Sequence, residues 1–374
     1  MQKVVINALQ YKKNCSGIGV MIRELFSSYA GMTERPCEVV LCEDAADFPA
    51  ESKVALHRAP CSYEQGLRRA FYQLFQMGPR CCADALLLTT DAKTPLLLPQ
   101  NCRVLPLVTD LALYRLPETY QESRVLLWKL QYAYLRRKAD RFLAISEFTR
   151  RELTEIFGIS PEKIDVVPCA CGEHFHRITN AEELRALRTK YALPERFALF
   201  VGNTNPRKNL KRLMLAFDRV KARGLPHHLI IAGGQGWSFD REKALADIRH
   251  KESVRFIGFV PDEDMPALYS AADAFLFPSL YEGFGIPVLE AQRCGTPVLT
   301  SNGSSLPEVG GSGALYADPY DVDDMAEGIY RLLTEPGLTA RLTERGYQNA
   351  ERFSWQASAE RLNTIVEEEF RKWM

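Results

Sequence analysis

The sequence predicts an α/β protein of two doubly wound units in tandem, each a parallel sheet wrapped by helices. Short apolar runs alternate with longer amphipathic segments almost from end to end, which is typical of that architecture. The 374 residues, 46% hydrophobic and 25% charged, suffice for about two to three domains with their own cores. The stretch 169–194 follows Pro168, includes Gly172, Asn180 and Pro194, and has a single helical segment, so it is the natural connector.

Each unit is predicted in the same way, strand by strand. In the first unit, apolar runs predict strands near 4–8, 38–42, 85–89, 104–109, 142–145 and 164–167, with helices near 20–30, 65–77, 119–139 and 148–157. In the second, strands are expected near 197–201, 229–232, 254–257, 274–277 and 298–300, with helices near 210–223, 240–250, 262–272 and 285–293. A last helix near 354–372 has no strand after it. The expected domains are therefore 1–172 and 173–353, followed by this helix.

Composition excludes several classes of protein. Lys+Arg and Asp+Glu are 47 each, so a net charge of zero gives no reason to expect a nucleic-acid partner. No stretch approaches the roughly 18 apolar residues of a spanning helix, which favours a cytoplasmic protein and leaves surface attachment open. The ten cysteines follow no repeated spacing, so reduced thiols and no disulfides are expected.

The densest chemical signal is FPSLYEGFGIPVLEAQRCG, residues 277–295. An apolar strand ends at Phe277, and a helix starts at about Gly285, where the backbone N–H groups of Phe284, Gly285 and Ile286 have no partner inside the helix. Such amides, at the positive end of the helix dipole, bind anions or hydroxyl groups. Glu282 lies before this helix, and Glu290 follows eight residues later, inside it. Their carboxylates could accept hydrogen bonds from sugar and ribose hydroxyls. Alternatively, Glu282 is a loop acid and Glu290 a solvated helix acid.

A second signal is VGNTNPRKNL, residues 201–210, where an apolar strand runs into a loop and a helix. Arg207 and Lys208 adjoin the helix start, and Asn209 is a candidate cap. Fixed cations at a helix start would stabilise negative charge on a bound ligand, a task that a divalent metal performs elsewhere. The alternative is a basic turn exposed to water.

In the first unit, Gly17 and Gly19 lie in the turn YKKNCSGIGVMIREL between the first strand and helix, and would let backbone pass close to a ligand. The turn is not GxGxxG, and no acidic residue stands at the spacing expected for NAD, so hydride transfer is set aside. A glycine turn without ligand is the equal alternative. Asp110, after the strand of VLPLVTDLALY, either orients an acceptor hydroxyl or caps the next helix.

Three further patterns need interpretation. Cys169, Cys171, His174 and His176 lack the paired spacing of a zinc site, so no metal is expected. GGQGW, residues 233–237, lacks the end of a P-loop and is a glycine turn after a strand. The segment from Arg124 to Arg151 has eight cations against two acids, with Trp128, Tyr132 and Tyr134 interleaved. It is a candidate for contact with an anionic lipid surface, or a solvated helix with an aromatic core face.

Taken together, these motifs resemble the retaining, nucleotide-sugar-dependent glycosyltransferases of family 4, with a GT-B fold of two facing Rossmann-like domains. EGFGIPVLE resembles their Glu-x7-Glu signature. Further segments extend the likeness over nearly the whole chain, in order: SGIG, AISEFTRREL, FVGNTNPRKNL, VRFIGFVPDEDMPALYSAADAFLFPS and TPVLTSNGSSLPEV.

The resemblance implies a role for each matching residue. Glu282 would contact the donor sugar, Glu290 the ribose hydroxyls, and the backbone of Phe284 and Gly285 the sugar and phosphate. The glycine loop at Gly17 and Gly19 would pass close to the diphosphate or the acceptor. Relatives carry Arg where this chain has Asn203, so Arg207 is expected to take over part of that role, and they carry His where it has Thr109. Contacts to the nucleotide base are expected around Gly258, Phe259 and Val260.

The resulting hypothesis is a metal-independent retaining transferase that needs no cofactor. It would move a hexose, mannose or a deoxyhexose such as rhamnose, from a GDP-linked donor to a glycan or lipid-diphosphate-linked glycan. The PRKN loop resembles that of bacterial mannosyl- and rhamnosyltransferases of surface-polysaccharide assembly. The acceptor would bind the first unit, the donor the second, and residues 354–374 would pack on the first unit as in relatives. Such an enzyme would be cytoplasmic, at the inner face of the plasma membrane. The alternatives are a GT-B nucleotide-sugar epimerase and a non-catalytic sugar-nucleotide-binding protein, the latter because Thr109 replaces His.

Overall fold

A computed structural model describes residues 2–12, 17–45, 48–49, 52–234 and 240–373. The chain forms two compact units, one from Met1–Cys169 with Ser354–Met374 and the other from Ala170–Phe353. The structure thus divides the chain three residues before the sequence-based boundary at 172, and the connector 170–194 belongs to the second unit.

The first unit contains a seven-stranded parallel sheet of order β3-β2-β1-β4-β5-β6-β7. Its strands are β1 Lys3–Asn7, β2 Cys37–Cys42, β3 Ala55–Ala59, β4 Ala85–Thr90, β5 Arg103–Val108, β6 Phe142–Ala144 and β7 Ile164–Val166. Six of them coincide with predicted strands. The sequence did not reveal β3, an edge strand in which only Ala59 is buried, so it lacks the apolar run of the central strands.

Helices connect these strands, and two of them contain a π-helical segment. Helix α1 covers residues 18–32, as Ile18–Met21, a π segment Ile22–Phe26, and Ser27–Met32; helix α2 covers residues 66–81, as Gly66–Phe71, a π segment Tyr72–Gln76, and Met77–Cys81. The others before the connector are α3 Ala112–Arg115, α4 Glu122–Lys138 and α5 Glu147–Phe157.

The second unit contains a six-stranded parallel sheet of order β10-β9-β8-β11-β12-β13. Its strands are β8 Phe197–Val201, β9 His228–Ala232, β10 Val254–Gly258, β11 Ala274–Phe277, β12 Val298–Ser301 and β13 Ala314–Ala317. Its helices are α6 Ala181–Lys190, α7 Leu210–Ala222, α8 Arg241–Ala246, α9 Met265–Ala271, α10 Ile286–Arg293, α11 Leu306–Gly310, α12 Val322–Thr334 and α13 Pro336–Ala350. The sequence analysis missed β13, α11, α12 and α13.

Two predicted helices are shorter than expected. The helix predicted over 240–250 ends at Ala246, with Asp240 as its cap, accepting from the amide of Lys243. The helix predicted over 262–272 begins as a 3-10 turn, Asp262–Asp264, before α9. No described helix combines the length and the apolar character that crossing a bilayer requires. The nine described cysteines are free thiols.

The last helix, α14 Trp355–Arg371, returns to the first unit. Its inner face buries Leu362, Ile365, Val366 and Phe370, each at most 1% exposed. Arg35 pairs with Glu367 through two contacts of 2.6 Å, from Nε to Oε1 and from Nη2 to Oε2. Apolar burial and a bidentate ion pair therefore both hold this helix in place.

Each sheet has one point where the strand order reverses, between β1 and β4 in the first and between β8 and β11 in the second. The loops that follow such a pair of strands diverge to opposite faces and leave a crevice at the carboxyl edge, where open α/β sheets bind their ligands. The predicted site residues of each unit are concentrated at these two points.

Candidate active site

An ion-paired cluster lies at the switch point of the second unit. Glu282, after β11, receives the Lys208 ammonium at 2.7 Å on Oε1 and the Arg207 guanidinium at 3.1 Å on Oε2. All three side chains are largely buried, with Glu282 at 9% exposed. Arg207 and Lys208 stand 75 and 74 positions before Glu282 in the sequence, and the structure brings the three side chains together.

Backbone contacts between the two loops fix this cluster. The amide of Leu280 donates to the carbonyl of Arg207 at 2.9 Å, and the Arg207 side chain donates to the carbonyl of Tyr281 at 3.0 Å. Asn209 does not cap helix α7 as predicted. Its backbone has a φ of 61°, and its side-chain amide donates instead to the carbonyls of Pro278 and Pro319, at 3.0 and 2.6 Å. This position therefore ties the β8 loop to the β11 loop.

The cluster keeps a net positive charge. Burial opposes ionisation of Glu282, but the charges of Arg207 and Lys208 outweigh it and hold the pKa of this carboxyl below its usual range. One ionised carboxylate against two cations leaves an excess of one positive charge. A buried cationic cluster of this kind suits an anionic group such as a diphosphate.

The helix start beside the cluster has the backbone geometry predicted for close approach to a ligand. Gly285 precedes α10 with a φ of 113°, and a Cβ there would lie 2.7 Å from the Leu306 side chain. Ile286 is the first residue of α10, and Phe284 is buried, with its ring packed edge-on against Phe353 at 5.5 Å. The amides of this turn therefore belong to a rigid, glycine-dependent segment.

Two serines from the segment before α11 hold this turn. The Ser304 hydroxyl accepts from the amide of Glu282 at 3.2 Å, and the Ser305 hydroxyl is 2.9 Å from the carbonyl of Glu282 and 2.7 Å from that of Phe284. Sequence reasoning quoted their motif but gave them no role. The signal available was the pair of small hydroxyl residues directly before a helix.

Glu290 lies on α10, away from the cations. Burial raises the pKa of Glu290 to about 7, a hydrogen bond from Tyr269 opposes the shift, and the charge of Asp262 adds to it. The Tyr269 hydroxyl donates to Oε2 at 2.7 Å, and Tyr269 itself is fully buried. The carboxylate is thus held in one orientation, which is what recognition of ribose hydroxyls requires. Tyr269 is the third residue, after Ser304 and Ser305, to which the sequence gave no role.

The remaining predicted donor residues lie at the carboxyl ends of β8 and β10. Gly202 and Gly233 cross so closely that a Cβ on Gly233 would lie 2.1 Å from the carbonyl oxygen of Gly202, and the amide of Gly233 donates to the carbonyl of Gly258 at 2.7 Å. Asn203 and Phe259 are exposed and Val260 is buried. Of GGQGW, residues 235–237 lie outside the described part of the chain.

One polar group beside the cations was not singled out from the sequence. Asn205 is 8% exposed, and its side-chain oxygen is buried without a hydrogen-bond partner, although its backbone carbonyl accepts from the amide of Lys208 at 2.9 Å. A buried polar atom without a partner is rare in folded proteins. Asn205 is therefore a further candidate for ligand contact.

In the first unit, the predicted glycines follow β1. Gly17 has a φ of 58° and is exposed at the start of α1, whereas Gly19 is buried within the first turn of that helix. Only Gly17 therefore uses the conformational freedom that was expected of both. Ser16, the first residue of the SGIG motif, lies outside the described residues.

The loops after β4 and β5 meet at Asp91. Its Oδ1 accepts from both the amide and the hydroxyl of Thr109, at 2.8 and 2.7 Å, while its Oδ2 is buried without a hydrogen-bond partner. Burial raises the pKa of Asp91 to about 6, with Lys93 opposing the shift and Asp110 adding to it. Asp110 accepts from the amide of Ala112, the first residue of α3, at 3.0 Å, although Leu111 and not Asp110 stands at the N-cap position of this helix.

The described side chains that could hold a metal ion together are not the ones that the sequence suggested. Cys169, Cys171, His174 and His176 do not form a described set of three donor atoms within 4.8 Å of one another, whereas Glu38, His57 and Cys81 do. The Lys3 ammonium already lies 2.6 Å from Glu38, and His57 Nε2 lies 2.9 Å from the Tyr72 hydroxyl. An ammonium group thus already lies beside Glu38 in this group of side chains.

Two Rossmann-like units with these motifs in order define the class of GT-B glycosyltransferases. Comparison with known families agrees: residues 185–349 match the model "Glycosyl transferases group 1", and residues 106–171 match "Glycosyltransferase Family 4". Residues 106–171 and 185–349 thus belong to these two glycosyltransferase domain families.

Relatives and solved structures support this assignment. The chain is similar to O-antigen chain mannosyltransferase B of Escherichia coli, with 36% identity over 250 residues that cover 66% of this chain and 65% of the relative. It is also similar to the serotype-specific mannosyltransferase WbdA of Escherichia coli, with 34% identity over 59% of this chain and 28% of the relative. The chain thus spans less than two thirds of either relative.

The same fold occurs in structures of low identity. Sucrose-phosphate synthase from Thermosynechococcus elongatus superposes over 100% of both chains with a TM-score of 0.77 at 18% identity. WaaG, a glycosyltransferase involved in lipopolysaccharide biosynthesis, superposes over 97% of this chain and 99% of its own with a TM-score of 0.73 at 16% identity. These likenesses confirm the predicted GT-B fold.

Proposed function

We propose that the protein is a retaining hexosyltransferase that moves a sugar from a nucleoside diphosphate to a hydroxyl group of a glycan or lipid-diphosphate-linked glycan. The observation that carries the proposal is the buried cluster of Arg207, Lys208 and Glu282, with its excess positive charge at the switch point of the second unit. A binding module for a neutral sugar would have no use for two buried cations.

The proposed reaction follows from this charge. The bond between the anomeric carbon and the diphosphate oxygen breaks, and the bond from that carbon to the acceptor oxygen forms on the same face. Arg207 and Lys208 stabilise the negative charge that grows on the diphosphate, and Glu282 fixes both cations in place. The departing phosphate oxygen takes the proton of the acceptor hydroxyl, so no protein base is required. Glu290 accepts hydrogen bonds from the ribose.

The proposed donor is GDP-mannose, with a GDP-linked deoxyhexose such as GDP-rhamnose as the second choice. The support is that O-antigen chain mannosyltransferase B and WbdA are mannosyltransferases by name, and that the PRKN loop is intact here. The backbone at Gly258, Phe259 and Val260 would contact the base. Thermal unfolding with GDP, UDP, ADP and dTDP tests the base, because a ligand that binds only the native state raises the melting temperature.

The proposed site of action is the cytoplasmic face of the plasma membrane, where a lipid-diphosphate-linked acceptor would be presented. The name of the first relative, an O-antigen chain enzyme, supports an acceptor of this kind. We also propose that transfer needs no metal ion, because Arg207 and Lys208 can take the place of a divalent cation at the diphosphate. Turnover that persists in excess chelator is the expected result, and loss that added Mg²⁺ restores would contradict it.

Substitutions in the cluster test the reaction. Lys208→Ala and Glu282→Ala are each expected to lower kcat by about 10²- to 10³-fold, the usual effect of removing one group that stabilises transition-state charge. Transfer of radiolabelled mannose from GDP-mannose to a lipid-linked glycan measures kcat.

Lys211→Ala is the matched control. Lys211 lies one turn further along the chain, but its pair with Asp247 is exposed, with about 60% of each side chain accessible. This variant should retain wild-type kcat. Near-wild-type rates in both cluster variants would refute the proposed site, and an altered sugar formed from donor alone would indicate an epimerase instead.

A further inference from the structure

Large apolar side chains are exposed in one region of the first unit. They occur on helix α2, in the loop after β4 and on helix α4. We call this set the apolar surface: Leu67, Phe71, Phe75, Leu96, Leu97, Leu126, Leu127 and Leu130, each between 40% and 92% exposed. Elsewhere among the described residues, only Leu56, Phe259 and Tyr320 are large, apolar and comparably exposed. Clustering of this kind marks an interaction site.

Hydrogen bonds join the three segments side by side. The Tyr134 hydroxyl of α4 donates to the carbonyls of Pro95 and Leu96, at 3.2 and 3.0 Å. The amide of Leu96 in turn donates to the carbonyl of Leu74 on α2, at 2.8 Å. Leu130 and Leu126 lie one and two turns before Tyr134, within about 12 Å along the helix axis. The exposed side chains therefore belong to one continuous region.

Helix α4 is apolar on two faces. Tyr132 and Leu135 are fully buried in the core of the unit, and Trp128 packs against that core. Trp128 and Tyr132, two of the three aromatic residues singled out in the sequence, therefore belong to the core face of this helix, whereas Tyr134 binds the neighbouring loop. The exposed leucines lie on the other side, which the core does not use. Two separate apolar faces on one helix are expected where each of them is covered.

The same segments are strongly basic. Residues 64–80, 93–97 and 122–138 contain nine cations and two acids, in a chain whose net charge is zero. Lys129 and Arg137 are exposed among the leucines of α4. A partner for this region must therefore offer both apolar area and negative charge. A second copy of the chain would bring two basic regions together, and like charges repel.

We propose that the apolar surface docks on an anionic lipid bilayer. The leucine and phenylalanine side chains enter the boundary between head groups and acyl chains, and the surrounding cations bind the anionic head groups. The inference rests on the proposed function only in that a lipid-linked acceptor requires the enzyme at a membrane. The inference adds which surface of the first unit contacts the membrane.

Vesicle flotation with the full-length protein tests this inference. The protein should float with vesicles of phosphatidylcholine containing about 30% phosphatidylglycerol, and much less with pure phosphatidylcholine, because the basic residues require anionic lipid. The double variant Leu126→Ser and Leu130→Ser should bind the anionic vesicles at least about tenfold more weakly, since two apolar contacts are lost. Lys129→Glu with Arg137→Glu should abolish the preference for anionic lipid.

Tyr320→Ser is the matched control, because Tyr320 is 58% exposed but lies in the second unit, and this variant should float like wild type. All substituted side chains are exposed, and unchanged circular dichroism would show that the variants fold. No flotation of wild type, flotation unchanged in the leucine variant, or a leucine-dependent dimer in place of lipid binding would each overturn the inference. Flotation uses no substrate, so its outcome is independent of whether the proposed transfer is observed.

Discussion

Glu290 and Asp91 are the two carboxyl groups whose surroundings most alter their chemistry. Each lies at a carboxyl-edge loop or helix of its own unit, and burial raises the pKa of Glu290 to about 7 and that of Asp91 to about 6. Glu282 is also buried, but two cations favour its ionised form. Three acids of the same chemistry therefore differ in charge state near neutral pH because of what surrounds them.

Nucleotide affinity should depend on the charge of Glu290. As pH falls from about 8 to about 6, the Glu290 carboxylate takes up a proton, and hydrogen bonds from ribose to an ionised acceptor are replaced by weaker neutral ones. Calorimetry should therefore show GDP binding about tenfold more weakly at the lower pH.

Glu290→Gln is the control for this effect, because it removes the titrating group but leaves the diphosphate of the ligand to titrate at about pH 6 as before. The variant should bind weakly at both pH values. An equal pH dependence in both proteins would contradict the ribose role.

The free energy of unfolding should fall when Asp91 ionises, whereas ionisation of an ordinary salt-bridged acid raises it. Its pKa is higher in the folded protein than the usual 3.8, so folding favours the protonated form, and stability falls as pH rises from about 4 to about 6. The penalty above that range is about 3 kcal/mol at most. Asp91→Asn should flatten this part of the curve in urea unfolding from pH 4 to 7, and parallel curves would count against it.

At the scale of elements, the turn before α10 depends on a single backbone conformation. Gly285 has a φ of 113°, and Ser305 holds the carbonyls of Glu282 and Phe284 on either side of Gly283. Helix α10 is only eight residues long, so its position is set by these contacts and by the packing of its buried face.

Gly285→Ala should therefore destabilise the second unit by about 1–3 kcal/mol, because an L-residue is strained at this φ and its Cβ would lie 2.7 Å from Leu306. Chemical denaturation measures this loss. Gly303→Ala is the matched control, since no heavy atom lies within 4 Å of the added Cβ and its φ is not positive, so its stability should remain near that of wild type. Equal effects of the two substitutions would refute the role assigned to Gly285.

The elements also show which strands a sequence pattern can reveal. Central strands such as β4 are buried at every position, and a continuous apolar run predicts them. The edge strands β3 and β13 are paired on one side only. ALHRA buries one position of five, and ALYA is a run of only four residues, of which two are buried. Hydrogen bonds to β2 and β12 hold these two edge strands in the sheet, and the apolar pattern of their own residues does not reveal that pairing.

At the scale of the whole molecule, the chain leaves its first unit at Cys169 and re-enters it at Ser354. The first unit is therefore complete only when residues 354–374 are present. Helix α14 contributes Leu362, Ile365, Val366 and Phe370 to its core, and Arg141 adds an ion pair with Glu368 at 2.8 Å.

Ile365→Ala should destabilise the first unit by about 2–5 kcal/mol, because it leaves a cavity at a fully buried position. Hydrogen exchange should show lost protection in β1 and β2 and unchanged protection in β8 and β11. Thr364→Ala, at the neighbouring exposed position on α14, should leave both patterns as in wild type. Uniform loss of protection in both units after Ile365→Ala would contradict the independence of the two cores.

The sequence by itself determined the class of fold, the switch-point loops and the types of residue in them, because strand burial, glycine turns and charged pairs are local properties. It gave Arg207, Lys208 and Glu282 as candidates but not their contact, which depends on the neighbouring positions of β8 and β11 in the sheet. Only the tertiary structure directed the side chain of Asn209 to the carbonyls of two other loops and packed Trp128 and Tyr132 of α4 against the core. It also raised the pKa of Glu290 and of Asp91. These properties arise from desolvation and packing by residues distant in the chain, and no local pattern records them.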